Sequence, residues 1–161
     1  MFTSLKLRDV EKMKVKGVKL QVLEDQDYKV EVSFDHGAIN DFVVALSKVP
    51  EAKRFGVARK LLAASVSYCM TGYIRSFLKT KGVDVADIHA SSQIHMDMDE
   101  SGSSVVKEIV FHITVDIPEK DEYVLERCRT IMKKGCLISK SLENGIVINR
   151  SISLKSRGEI G

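Results

Sequence analysis

A chain of 161 residues with 44% apolar and 29% charged side chains suits one compact domain and excludes a disordered or low-complexity protein. Its net charge of +3, from 25 basic and 22 acidic residues, is too small to point to a nucleic-acid partner. Three widely separated cysteines do not form a secreted disulfide framework, so in a reducing compartment they are core filler, metal ligands or reactive thiols.

The first residues carry charges at Lys6, Arg8, Asp9, Glu11 and Lys12 with no apolar segment of a secretory signal, so a cytoplasmic location is expected. Lys14, Lys16 and Lys19 continue this basic run. No aromatic residues are interleaved as base-stacking platforms, and it reads as a solvated face. Val15, Val18, Leu20 and Val22 follow a strand-like pattern, and Tyr28, Val30, Val32 and Phe34 alternate cleanly with polar residues. With a turn at Glu24 to Asp27, the two form a hairpin. Asp35 to Gly37 ends the second strand, and Asp41 to Ser47 reads as a short third one.

Val57 to Lys81 is the clearest helix, opening after Gly56 and closing at Lys79, Lys81 and Gly82, where cations suit the C-terminus. Leu62, Val66, Cys69, Tyr73 and Phe77 share one face, while Leu61, Ala64, Tyr68 and Ile74 widen the apolar surface. The helix is therefore expected to be buried on most sides. Its apolar run, Leu61 to Ile74, is too short to span a bilayer. Ile88, Ala90, Ile94, Met96 and Met98 then alternate with polar residues. After a turn at 99–104, Val105, Ile109, Phe111, Ile113, Val115 and Ile117 answer them in a long hairpin. Asp121 to Lys134 is an amphipathic helix stopped by Gly135, and Cys136 to Leu142 a short helical stretch. A last strand carries Ile146, Ile148, Ile152 and Leu154, and the tail from Lys155 is polar. The order of elements is α+β, with antiparallel sheet predominating.

Each cysteine has its own context. Cys128 lies on an apolar stripe between Val124 and Met132 and reads as core. Periodicity alone makes Cys69 core as well. Cys136 follows a helix-stopping glycine and opens a new helical turn, where unpaired N–H groups stabilise a thiolate, with Lys133 and Lys134 nearby. It is a candidate reactive thiol. His89, His95 and His112 fall on the polar faces of paired strands without the spacing of a zinc site, and no metal or cofactor is expected. Asp121 and Glu126 read as surface carboxylates.

The run LLAASVSYC (Leu61 to Cys69) resembles the signature of the OsmC/Ohr family, in which large apolar and then small residues lead to a helical cysteine. CLISKSL (Cys136 to Leu142) is similar to the family's second motif of cysteine, proline, an aliphatic or aromatic residue, then serine. Cys136, Ile138 and Ser139 match, and Leu137 replaces the proline. The element order from Pro50 to Leu154 follows the family too. The resemblance implies an OsmC-like α+β fold, with antiparallel sheets around a long central helix. One domain would cover 1–161, its N-terminal strands over about 1–47 and a helix–hairpin–helix core over about 50–154. It also implies an intertwined homodimer and a thiol-dependent peroxidase of the oxidative-stress response. Cys69 would be the peroxidatic and Cys136 the resolving cysteine. The partners would be a hydroperoxide substrate and a small or protein dithiol reductant, with no nucleic acid and no membrane. The chain departs from the family by carrying Arg59 and Lys60 where a glutamate is usual, and Ala58 where a proline precedes it. Arg54 and Arg59 are the nearby candidates for the arginine that this glutamate normally positions. The departure favours the alternative, a non-enzymatic redox-sensing or small-ligand-binding module on the same fold.

Overall fold

The computed structural model describes residues 15–22, 28–34, 40–45, 48–54 and 56–155. The expected turns at Glu24 to Asp27 and Asp35 to Gly37, the first basic residues and the end of the polar tail lie outside the described residues. The chain divides into two compact units, 1–55 and 56–161.

In the first unit, β1 (Val15–Val22), β2 (Tyr28–Phe34) and β3 (Phe42–Ala45) form an antiparallel sheet in that order. Val18 pairs with Val32 and Val30 with Val44, so the alternation seen in the sequence sets the register. Phe34 and Phe42 stack with ring centroids 5.9 Å apart, and the Asp41 carboxylate accepts a hydrogen bond from the Phe34 amide at 2.9 Å. A single helical turn, α1 (Glu51–Arg54), follows.

The second unit begins with α2 (Gly56–Thr80), whose C-terminus is closed by Gly82 at φ 75°. It packs on a sheet of β4 (Asp87–Met98), β5 (Ser104–Asp116) and β6 (Val147–Leu154). β4 and β5 form the expected hairpin. Asp99 closes its turn by accepting bonds from the Ser101 hydroxyl (2.6 Å) and the Ser103 amide (2.8 Å), and Gly102 supplies φ 77°. β6 runs parallel to β5. A parallel neighbour needs a long crossover, and here it contains α3 (Glu122–Met132) and α4 (Leu137–Leu142).

The core lies between one sheet face and the helices. Ile109, Phe111, Ile113 and Val115 of β5 are buried against Val66, Met70, Ile74 and Leu78 of α2 and Leu125, Cys128 and Met132 of α3. Each such side chain contributes roughly 1.5–3 kcal/mol through removal from water. The expectation that α2 is buried on most sides is corrected. Its buried stripe runs Ala63, Val66, Met70, Ile74 and Leu78, while Tyr68 is 83% exposed and Leu61 and Tyr73 are each 43% exposed. The neighbours of α2 within this unit lie on one flank, so one side of the cylinder keeps its apolar groups bare.

Candidate functional site

The two candidate thiols come from elements far apart in the chain. Cys69 occupies the middle of α2 and is half-buried. Cys136 stands at the elbow between α3 and α4 and is 2% exposed. Three backbone features build that elbow. The last turn of α3 tightens, with the Gly135 amide bonded to the Met132 carbonyl at 2.9 Å. Gly135 then turns left-handed at φ 77°, and Cys136 becomes the extended N-cap of α4. Ser139 completes a capping box. Its amide donates to the Cys136 sulfur, and its hydroxyl oxygen accepts from the Cys136 amide at 2.9 Å. Ser139 is fully buried, so this hydrogen bonding also removes the cost of burying its hydroxyl.

α2 and α4 pack together, which brings the two thiols within range of each other. Each thiol shifts the ionisation of the other. Burial pushes the Cys69 pKa up, as does the neighbouring Cys136, against the lowering effect of the Ile138 and Leu137 amides. Burial also acts upward on Cys136, but there it is outweighed. The neighbouring Cys69, the Ser139 hydroxyl, and the amides of Ser139 and Ile138 together lower its pKa. The pair therefore loses a first proton more readily than an ordinary thiol and holds the second more tightly. Of the two, Cys136 therefore ionises first and Cys69 keeps its proton longer. Both sulfurs face amides of α4, so the charge is solvated at either position.

The surroundings of the elbow are closely packed. A Cβ on Gly135 would lie 2.8 Å from the Ser139 Oγ and 3.2 Å from the Glu143 Oε1, so glycine is required for space as well as for φ. Glu143 caps α4, pairs with Arg150 of β6 and lies 3.8 Å from the Lys140 ammonium. A cleft of about 500 Å³ opens beside Cys136, lined also by Leu137, Lys140 and Glu143, and Leu137 is 79% exposed at its edge.

The remaining candidates fall elsewhere. Cys128 is fully buried, and desolvation pushes its pKa up to about 11. It is a core residue, as expected. His89 and His112 lie on one exposed face but in diagonal register. His112 is opposite Ser91, and its Nδ1 is 3.0 Å from the Ser151 Oγ. Among the described residues no cluster of metal-binding side chains exists. Arg54 belongs to the first unit, where its Nε donates to the Val49 carbonyl. Arg59 and Lys60 rim a groove of about 630 Å³ between α2 and β4, floored by Ala63, Ala90 and Ile94. Arg59 is not among the groups that shift either thiol. Among the described residues no helix is long and apolar enough to cross a membrane.

Three residues of the site carry no assigned role in the sequence analysis. Ser139 is signalled by its position three residues after Cys136, the spacing of a capping box. Arg150 is signalled by a charge at an inward position of β6, between Ile148 and Ile152. Glu143 carries no local signal.

The OsmC-like protein family profile matches residues 58–151, which include both thiols and the whole crossover. The fold is similar to that of an OsmC-like protein from Mycoplasma pneumoniae, with TM-score 0.62 at 14% identity over 90% of this chain and 99% of that one. An OsmC-like protein of unknown function from Vibrio cholerae superposes with TM-score 0.63 at 15% identity, over 84% and 96% of the two chains. The organic hydroperoxide resistance protein OhrB of Bacillus subtilis gives 0.52 at 19% identity, over 86% and 98%. No curated protein matches the chain. With its matched core and its fold, the chain belongs to the OsmC-like protein family.

Proposed function

We propose that the protein is a thiol-dependent peroxidase in which Cys69 attacks the peroxide and Cys136 resolves the product. The reading rests on the juxtaposition of the two thiols, each of which shifts the other's ionisation. Cys69 is the more accessible sulfur, and Cys136 is the base already in contact with it. On peroxide entry the Cys69 proton passes to Cys136. The Cys69 thiolate, now stabilised by the Leu137 and Ile138 amides, attacks the near oxygen of the O–O bond. Sulfur gains that oxygen and becomes a sulfenic acid, and the leaving alkoxide takes the proton from Cys136 to depart as the alcohol. The regenerated Cys136 thiolate attacks the sulfenic sulfur and expels hydroxide, which leaves as water after taking a solvent proton. A Cys69–Cys136 disulfide remains. A dithiol reductant restores both thiols by exchange and departs as its own disulfide.

The family relationship supports this chemistry, and OhrB of Bacillus subtilis is named for organic hydroperoxide resistance. A reducing compartment such as the cytoplasm supplies the dithiol that the cycle needs. The exposed side chains of Leu61, Tyr68 and Tyr73 on α2 support a second copy of the chain as partner, with the homodimer as the working form. The second reading, a redox sensor or small-ligand module, is favoured by one observation. Arg59 and Lys60, rather than a carboxylate, face the groove on α2.

Peroxide consumption with a dithiol reductant in excess separates the two. The peroxidase reading expects sustained turnover in the native protein, none in Cys69→Ser, and slowed turnover in Cys136→Ser, where the dithiol itself must reduce the Cys69 sulfenic acid. Absence of turnover with every dithiol tested leaves the sensor reading.

A further inference from the structure

Arg150 is held by three contacts at the end of the second unit. Its side chain is 10% exposed, its Nη1 donates to the Met132 carbonyl (2.8 Å) and the Lys133 carbonyl (3.3 Å), and its Nη2 pairs with the Glu143 carboxylate. Burial makes such a pair a weak source of stability, because desolvation of both charges offsets much of their attraction. Its placement is more informative. Met132 is the last residue of α3 and Lys133 its C-cap, and Glu143 is the C-cap of α4. The guanidinium therefore ties together the two ends of the segment that contains Gly135 and Cys136. The same Glu143 oxygen lies 3.2 Å from where a Cβ on Gly135 would stand, and Glu143 lines the cleft beside Cys136.

We propose that Arg150 and Glu143 are positioning residues for Cys136, fixing the elbow so that its sulfur stays in contact with Cys69. The pair lies on β6 and α4, away from the α2 positions that Arg59 and Lys60 occupy. It acts through backbone carbonyls and the cap rather than on the peroxide. The proposal rests on the reading of Cys69 and Cys136 as a redox pair, but not on peroxide as their oxidant.

The test uses diamide, which accepts two electrons and two protons from a thiol pair and leaves a disulfide. In the full-length protein, the rate of Cys69–Cys136 bridging is followed by mass spectrometry, and the bridge's equilibrium constant is measured against dithiothreitol. Arg150→Met and Glu143→Ala should slow bridging roughly ten- to a hundredfold and lower the equilibrium constant roughly tenfold, as the effective concentration of the two sulfurs falls. Glu143→Gln keeps an acceptor for Nη2 and should restore most of the rate. Arg129→Met is the structural comparison. Arg129 makes a similar clasp, from its Nε to the Ile152 carbonyl at 2.8 Å and from Nη1 to Glu126, one turn further back on α3. It should lower stability without altering either thiol readout. Should Arg150→Met fail to fold, the two Glu143 variants decide. The proposal is overturned if Glu143→Ala bridges like the native protein, if Glu143→Gln is as slow as Glu143→Ala, or if Arg129→Met slows bridging equally. It is overturned as well if diamide forms no Cys69–Cys136 bridge in the native protein. If diamide gives this pattern while peroxide oxidises neither thiol, the peroxidase reading fails and the positioning role stands.

Discussion

Gly135→Ala isolates the geometry of the Cys136 elbow from generic backbone strain. Gly82, Gly102 and Gly135 share nearly the same conformation, at φ 75°, 77° and 77°. Placing alanine in this left-handed region costs roughly 1–2 kcal/mol at each. At Gly82 and Gly102 an added Cβ meets nothing within 4 Å, so that strain is the whole effect. At Gly135 the Cβ would stand 2.8 Å from the Ser139 Oγ. That hydroxyl cannot move away without loss, because it accepts the Cys136 amide at 2.9 Å and donates to the Cys136 carbonyl at 3.2 Å. Leaving this buried amide unpaired adds roughly 1–3 kcal/mol. Gly135→Ala should therefore destabilise by about 2–5 kcal/mol, against about 1–2 kcal/mol for Gly102→Ala. Urea denaturation at unchanged m-value measures both. Equal losses in the two variants would show that the contact with Ser139 carries no energy, and the description of the elbow would be wrong.

Other perturbations probe the same framework. The Cys128 pKa, pushed up to about 11 from an ordinary 9.0, means that the unfolded chain ionises this thiol first. Its contribution of roughly 2–3 kcal/mol is full below pH 9 and is lost as pH rises toward 11. Cys128→Ala should flatten the alkaline limb of the stability–pH curve, and an unchanged slope would contradict the assignment. Ser139→Ala should destabilise by about 1–3 kcal/mol and speed hydrogen exchange at the Cys136 amide, as the capping box opens. Cys69→Ala removes a donor from Cys136, so the thiolate absorbance of Cys136 should titrate at higher pH than in the native pair. A shift to lower pH would refute the interaction between the two thiols.

Much of the fold could be read locally. Gly56 and Gly82 bracket α2, alternation specifies β2, β4 and β5, and Gly135 before Cys136 marks the elbow where the structure has it. These features depend on neighbours a few residues away. What could not be read depends on distant parts of the chain. β6 shows a period of two whether it pairs parallel or antiparallel, and only the crossover decides. The hydropathy of α2 is spread around the cylinder, so Tyr68 and Tyr73 look like Val66 and Ile74 until the flank that meets the sheet is known. The site divides in the same way. Cys136 is legible from its helix start, whereas its contact with Cys69 and the Arg150–Glu143 clasp join elements that only the folded chain brings together.

The central claim is that Cys69 and Cys136 act as one redox unit toward peroxide, with Cys128 a bystander in the core. It is tested by treating the fully reduced protein with one equivalent of cumene hydroperoxide and mapping disulfides by mass spectrometry over time. A rapid Cys69–Cys136 bridge, absent in Cys69→Ser and without modification of Cys128, is the expected result. If both thiols remain free, or are oxidised no faster than Cys128, the account of the site is wrong.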